Sequence, residues 1–142
     1  RVDGDVVLAD LPGLIEGASK GEGLGYQFLR HIENCKVLLY MLSLPLEYMN
    51  ASLDEKVEAI IEQYRTVRAE LAEYDPALLE KKSLVCLNKI DIYDDEFVER
   101  VVTDLVAAES DDPALEGGVT PVSMATGEGL ETLKNRLAEH LW

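Results

Sequence analysis

The chain predicts an α/β fold, a parallel sheet of about four strands with flanking helices. Three observations lead there. Short continuous apolar runs, Val6–Ala9, Val37–Leu42 and Leu84–Leu87, have the length and content of strands buried on both faces. Stretches of helical periodicity separate them. Strand and helix then alternate four times along the chain, and that alternation calls for parallel pairing through right-handed crossovers.

The elements follow in order. Val6-Val7-Leu8-Ala9 is the first strand, and it ends in Asp10-Leu11-Pro12-Gly13. Gly17, Gly21, Gly23 and Gly25 then predict a mobile loop. Leu24, Phe28 and Ile32 recur every fourth residue and predict a helix from about Gly23 to Asn34. Val37–Leu42 is the second strand. Ser52-Leu53-Asp54-Glu55 has the form of a capping box. It opens a long amphipathic helix with Val57, Ile60, Ile61, Tyr64, Val67 and Leu71 on one face, and Asp75-Pro76 stops it. Leu84–Leu87 is the third strand. Asp94 or Asp95 caps the next helix, whose apolar face carries Phe97, Val101, Val102 and Leu105. Gly117-Gly118 is a turn before a fourth, shorter strand from Val119 to Ser123. Leu130, Leu133, Leu137 and Leu141 mark a terminal helix.

Composition bounds the function. The 142 residues suffice for one domain with a sizeable core, and 47% hydrophobic content is that of a globular chain. Thirteen basic against 28 acidic residues leave a net charge of −15, which argues against broad nucleic-acid binding by this segment. A nucleotide stays compatible with that charge, because backbone amides and a metal ion can hold phosphate. There is no signal peptide and no long apolar run, so neither secretion nor a membrane span is expected. Cys35 and Cys86 lie in or beside apolar runs and read as core residues of a reduced, cytoplasmic protein. Neither His31 nor His140 has metal-ligand company at a recognisable spacing.

Function is concentrated at three strand ends. In a parallel sheet their loops gather at the carboxyl edge, where ligands bind. Asn88-Lys89-Ile90-Asp91 follows the third strand. The base edge of guanine offers an N–H and an NH₂ side by side, and a carboxylate such as Asp91 can accept from both. Adenine has no such pair. Asn88 can donate and accept, and the Lys89 stem can lie along the ring with its ammonium in water. A solvated polar loop is the plain alternative, but three fixed residues match by chance only about once in fifty chains of this length, so the motif is moderately specific alone. Asp10-Leu11-Pro12-Gly13 taken alone is more often a simple turn. Tyr40, Tyr64 and Tyr74 read as packing residues, not stacking platforms, and Arg30 as an exposed structural residue. Glu128 reads as a helix-start residue whose charge suits the helix dipole.

The three loops in this order resemble the G domain of translation-factor-type GTPases. The stretch Asp10 to Ala18, followed by Gly23-Leu24-Gly25, Phe28 to Glu33 and Thr126-Gly127-Glu128-Gly129-Leu130, resembles the Obg subfamily more closely. The resemblance spans essentially the whole chain and implies a partial P-loop NTPase fold. It implies that Asp10 reaches Mg²⁺ through water, in the loop with Leu11 and Pro12. It implies that the Gly13 N–H bonds the γ-phosphate and that the following loop is the second switch. Asn88, Lys89, Ile90 and Asp91 would form the base-reading loop. Ser123, Met124 and Ala125 would form the last guanine loop, with methionine where the family usually has alanine. The family contact there is a backbone amide to the guanine oxygen.

Leu14 stands where Ras-type enzymes carry the glutamine that orients the attacking water. Leucine cannot do so, and the task would fall to backbone groups or a monovalent cation. No Gly-x-x-x-x-Gly-Lys-Ser/Thr occurs in the sequence, and no threonine-bearing first switch. Residues 1–142 therefore read as a partial G domain running from the third strand of that fold to its terminal helix. The expected parent binds GTP and GDP with Mg²⁺, hydrolyses GTP and acts in large ribosomal subunit assembly. The chain alone is expected to be inactive, and the alternative is a nucleotide-independent interaction module. Without its sheet neighbours, the Val6–Ala9 strand is expected to re-pair or to leave the sheet. The chain is also expected to expose apolar surface and self-associate.

Overall fold

A computed structural model describes residues 36–141. The expected strand Val6–Ala9, the glycine-rich loop, the helix from Gly23, Cys35 and Arg30 lie outside the described residues, as do Asp10, Leu11, Pro12 and Gly13. Among the described residues three parallel strands form one sheet in the order β1 (Val37–Leu42), β2 (Lys82–Leu87), β3 (Val119–Pro121). Val37 faces Lys82 and Leu42 faces Leu87, while Val85 faces Val119 and Leu87 faces Pro121. The helices are α1 (Leu53–Tyr74), α2 (Asp95–Ala108) and α3 (Leu130–Leu141).

β1 has the expected limits. β2 starts two residues earlier than its apolar run, because Lys82 and Ser83 pair with β1 although both are polar. Ser83 is buried, and its hydroxyl is satisfied by donating to the Lys81 carbonyl at 2.9 Å. β3 stops at Pro121 and not at Ser123. The Ser123 N–H turns out of the ladder to the Glu128 carbonyl at 2.9 Å, so the pairing cannot continue.

One half of the capping box forms, and the Glu55 carboxylate meets the Ser52 hydroxyl instead of the Ser52 backbone N–H. Ser52 Oγ accepts from the Glu55 N–H at 3.2 Å and donates to the Glu55 carboxylate at 3.2 Å. Asp94 occupies the N-cap of α2, but its side chain makes no capping bond. Asp75 ends α1 as expected and accepts from the Ala77 N–H, which starts a 3-10 turn at Pro76.

Residues of the strands alternate between two apolar layers. Leu38, Tyr40, Leu42, Val85, Leu87 and Val119 meet α1 and α2 in the larger core. Leu84, Cys86 and Val122 meet Leu133 of α3 on the opposite face, with Leu130 and Leu137 against them. The Leu141 side chain falls outside the described set. β2, flanked on both edges and covered on both faces, is buried from Ser83 to Leu87.

Tyr40 and Tyr64 are core residues, as the sequence suggests. Their rings meet edge to face with centroids 5.6 Å apart. Their hydroxyls join a polar cluster inside the larger core. Arg68 donates to Tyr40 Oη at 3.1 Å and to Asp112 Oδ1 at 2.6 Å. Tyr64 Oη donates to Asp112 Oδ2 at 2.6 Å, and the Ala114 N–H donates to Oδ1 at 2.9 Å. Burial and then the bond to Asp112 raise the Tyr64 phenol far above its ordinary range, so it remains a donor at all physiological pH.

Cys86 has no exposed surface, and burial pushes its thiol up from 9.0 to about 12. The folded chain therefore resists alkylation by iodoacetamide at this thiol at pH 8, and reaction follows unfolding. The sign for stability is equally definite. The folded state holds the proton more tightly, so this group's contribution is complete below pH 9 and is lost as pH rises toward about 12. Rapid labelling of Cys86 in the native chain would contradict this placement.

Candidate functional site

Three loops leave the carboxyl edge of the sheet, after Leu42, Leu87 and Pro121. Backbone bonds set the second and third against the strand ends. The Asn88 N–H donates to the Leu42 carbonyl at 2.8 Å, the Val122 N–H to Leu87 at 2.8 Å, and the Ile90 N–H to Val122 at 3.2 Å.

Two side-chain bonds then join the loops of Asn88–Asp91 and Ser123–Ala125. Ser123 Oγ donates to Asp91 Oδ1 at 2.8 Å. The Met124 N–H donates to Asn88 Oδ1 at 3.0 Å. Ser123 is fully buried and also accepts from the Thr126 N–H at 3.2 Å, so its hydroxyl is satisfied on both sides. Asp91 is exposed, and one carboxylate oxygen remains to face solvent. Asn88 spends its amide oxygen here and keeps two N–H donors.

Lys89 takes a left-handed conformation with φ 73°, in contrast to the other described non-glycine residues. That conformation reverses the chain after β2 and starts the 3-10 turn Ile90–Ile92, which presents Asp91. The Lys89 side chain is exposed, while Ile90 is half-buried against the larger core and anchors the turn. Met124 and Ala125 are exposed. Asn88, Asp91, Ser123 and Met124 are thus brought together. Lys89 and Ala125 border them, and Ile90 serves as the anchor.

Sequence reasoning missed the structural role of Gly129. Its φ is +80°, and a Cβ there would come within 2.3 Å of the Pro121 carbonyl oxygen. Only glycine lets the start of α3 pass this close to the end of β3 and so close the Ser123 loop. The spaced glycines of Gly127-Glu128-Gly129 were the available signal. Glu128 lies just before α3, and its backbone carbonyl, not its carboxylate, makes the loop contact.

Among the described residues no group of three His, Cys, Asp or Glu could hold a metal ion. The one expected Mg²⁺ contact, Asp10, is not among them. No described helix is long and apolar enough to cross a membrane.

A parallel α/β sheet with these motifs on its carboxyl edge has the form of part of a P-loop nucleotide-binding G domain. A family model for the 50S ribosome-binding GTPase matches residues 1–89, more than half of the chain. GTPase Obg of Myxococcus xanthus is 38% identical over 138 residues, covering 96% of this chain and 25% of that protein. GTPase Obg of Erythrobacter litoralis is 40% identical over 137 residues, covering 96% and 34% respectively. GTPase Obg of Rickettsia bellii is 38% identical over 128 residues, covering 90% and 34%. The chain belongs to the 50S ribosome-binding GTPase family. It spans between a quarter and about a third of the length of these Obg relatives.

Proposed function

We propose that this chain is the base-reading part of the GTP-binding domain of an Obg-like GTPase. The cross-loop pair of bonds, Ser123 to Asp91 and Met124 to Asn88, carries the reading. It holds a carboxylate and an amide, from loops of different strands, in one place before any ligand arrives. Asp91 accepts from the adjacent N–H and NH₂ of guanine. Asn88 donates to the purine, and Lys89 covers the ring with its stem. Ser123, Met124 and Ala125 form the far wall, and Ile90 sets the turn.

Asp10, Leu11, Pro12 and Gly13 serve the phosphate side. Asp10 would help to hold Mg²⁺, and the Gly13 N–H would bind the γ-phosphate. Mg²⁺ bound with the nucleotide supplies charge neutralisation of the phosphates. The intact protein hydrolyses GTP to GDP as a slow switch. Leu14 leaves the attacking water to backbone groups or a monovalent cation. The protein works in the cytoplasm on assembly of the large ribosomal subunit, and most contacts with ribosomal RNA are made outside this acidic segment. The family name and the Obg relatives support this role, and the free thiol of Cys86 suits a reducing compartment.

Titration of the intact protein with GDP, IDP and ADP tests the reading. GDP should bind at least about a hundredfold more tightly than ADP, because adenine leaves Asp91 without its paired donors. Equal affinities would overturn it. The 142-residue chain carries no phosphate-loop motif, and by itself it should bind GDP more weakly than micromolar. Submicromolar affinity would refute that part of the proposal.

A further inference from the structure

Tyr93 lies two residues beyond Asp91, and its hydroxyl is not used by any part of the site described above. It accepts a hydrogen bond from the Leu44 N–H at 2.7 Å. Leu44 is buried in the loop after β1, and Tyr93 Oη is the partner of that buried donor. The Tyr93 ring packs edge to face on Phe97 of α2, with centroids 5.0 Å apart. Next to Leu44, Ser43 is clamped by Gln63 of α1. The Ser43 N–H donates to Gln63 Oε1 at 3.1 Å, and Gln63 Nε2 donates to the Ser43 carbonyl at 3.0 Å.

We propose that Gln63, the Ser43–Leu44 backbone and Tyr93 form a strut that positions the turn carrying Asp91 and so sharpens discrimination by that carboxylate between nucleobases. This rests on the guanine reading of the site. The turn has three other anchors: Asn88 N–H to Leu42 at the end of β1, and, on its β3 side, Ile90 N–H to Val122 and Ser123 to Asp91. The strut holds the far end of the turn, at Tyr93, to the loop just beyond β1, and it runs back to α1. Without it, the turn hinges at the strained Lys89 and Asp91 loses its fixed distance to the base edge.

The test uses Tyr93→Phe and Gln63→Leu in the intact protein. Hydrogen exchange reads the strut without nucleotide. Amides of Leu44 and of residues 90–93 should exchange at least about tenfold faster in Tyr93→Phe. The GDP-to-IDP affinity ratio reads positioning, since IDP lacks only the amino group that Asp91 accepts from. That ratio should fall about fivefold to tenfold in Tyr93→Phe and in Gln63→Leu, and the double variant should fall no further than the worse single. Val101→Ala is the control. It lowers thermal stability from the core and should leave the ratio unchanged. A merely structural Tyr93 would lower stability and leave the ratio intact, which would overturn the proposal. Unchanged exchange would overturn it too. A wild-type protein that fails to prefer GDP over ADP overturns the guanine reading and the specificity role together, while the exchange result still decides the strut.

Discussion

Replacing Asp91 with alanine in the intact protein weakens GDP binding by at least about a hundredfold. In the proposed reading the carboxylate accepts from two donors of the base, and hydrogen bonds to a charged group contribute about 1.5–3 kcal/mol each. Losing both is about 3–6 kcal/mol, and each 1.4 kcal/mol is a factor of ten. ADP, which presents no such donor pair, should be almost unaffected, and so the preference for guanine collapses. The same substitution has a second, smaller effect. The buried Ser123 hydroxyl loses its acceptor while still accepting from Thr126. An unsatisfied buried donor costs about 1–3 kcal/mol of stability. Adding Ser123→Ala to Asp91→Ala should therefore destabilise by less than the sum of the single changes. Isothermal titration measures the first effect and urea unfolding the second. Undiminished preference for GDP in Asp91→Ala would remove this carboxylate from base recognition.

Asp112→Ala should destabilise the chain by about 3–5 kcal/mol, with little to do with nucleotide. The Arg68 and Asp112 side chains are each only 12% exposed, so their charges sit in a poorly solvated place. Removing one partner of such a pair leaves an uncompensated charge. Here it also strips the acceptor from Tyr64 Oη and from the Ala114 N–H. Urea denaturation of the variant should show a much lower midpoint with a similar slope. Adding Arg68→Met should restore part of the loss, because the unpaired charge goes and the apolar stem volume stays. A single Asp112→Ala variant within 1 kcal/mol of the parent would mean that solvent reaches this cluster freely. The exposed pairs are different. Arg100 with Asp54 and Asp104 lies on the helix surface, where such contacts contribute little.

Much of this could be read directly from the chain. β1 has its expected limits because a six-residue apolar run has few other uses in a chain of this kind. Ser52 and Glu55 cap α1 through contacts three residues apart, and such contacts are written in local sequence. The Asn88 and Ser123 motifs lie on the sheet edge where parallel topology puts them. What local pattern could not supply is equally specific. Asp94 stands at a cap and makes no capping bond, since side-chain orientation is not a property of sequence position. Ser83 lies inside a strand because the neighbouring strand reaches past the apolar run.

Among the described residues, the sequence by itself determined the order of strands and long helices, most of their burial pattern and the residue types at the carboxyl edge of the sheet, because propensity, capping and periodicity act over a few residues. Only the tertiary structure decided which groups meet. Tyr93 finds Leu44 across 49 positions, Arg68 finds Asp112 across 44, and Asp91 finds Ser123 across 32. Each of these bonds depends on helix packing and strand register that bring distant residues within 3 Å. Hydrogen bonding at that range is a property of the assembled fold, and no stretch of the chain carries it alone.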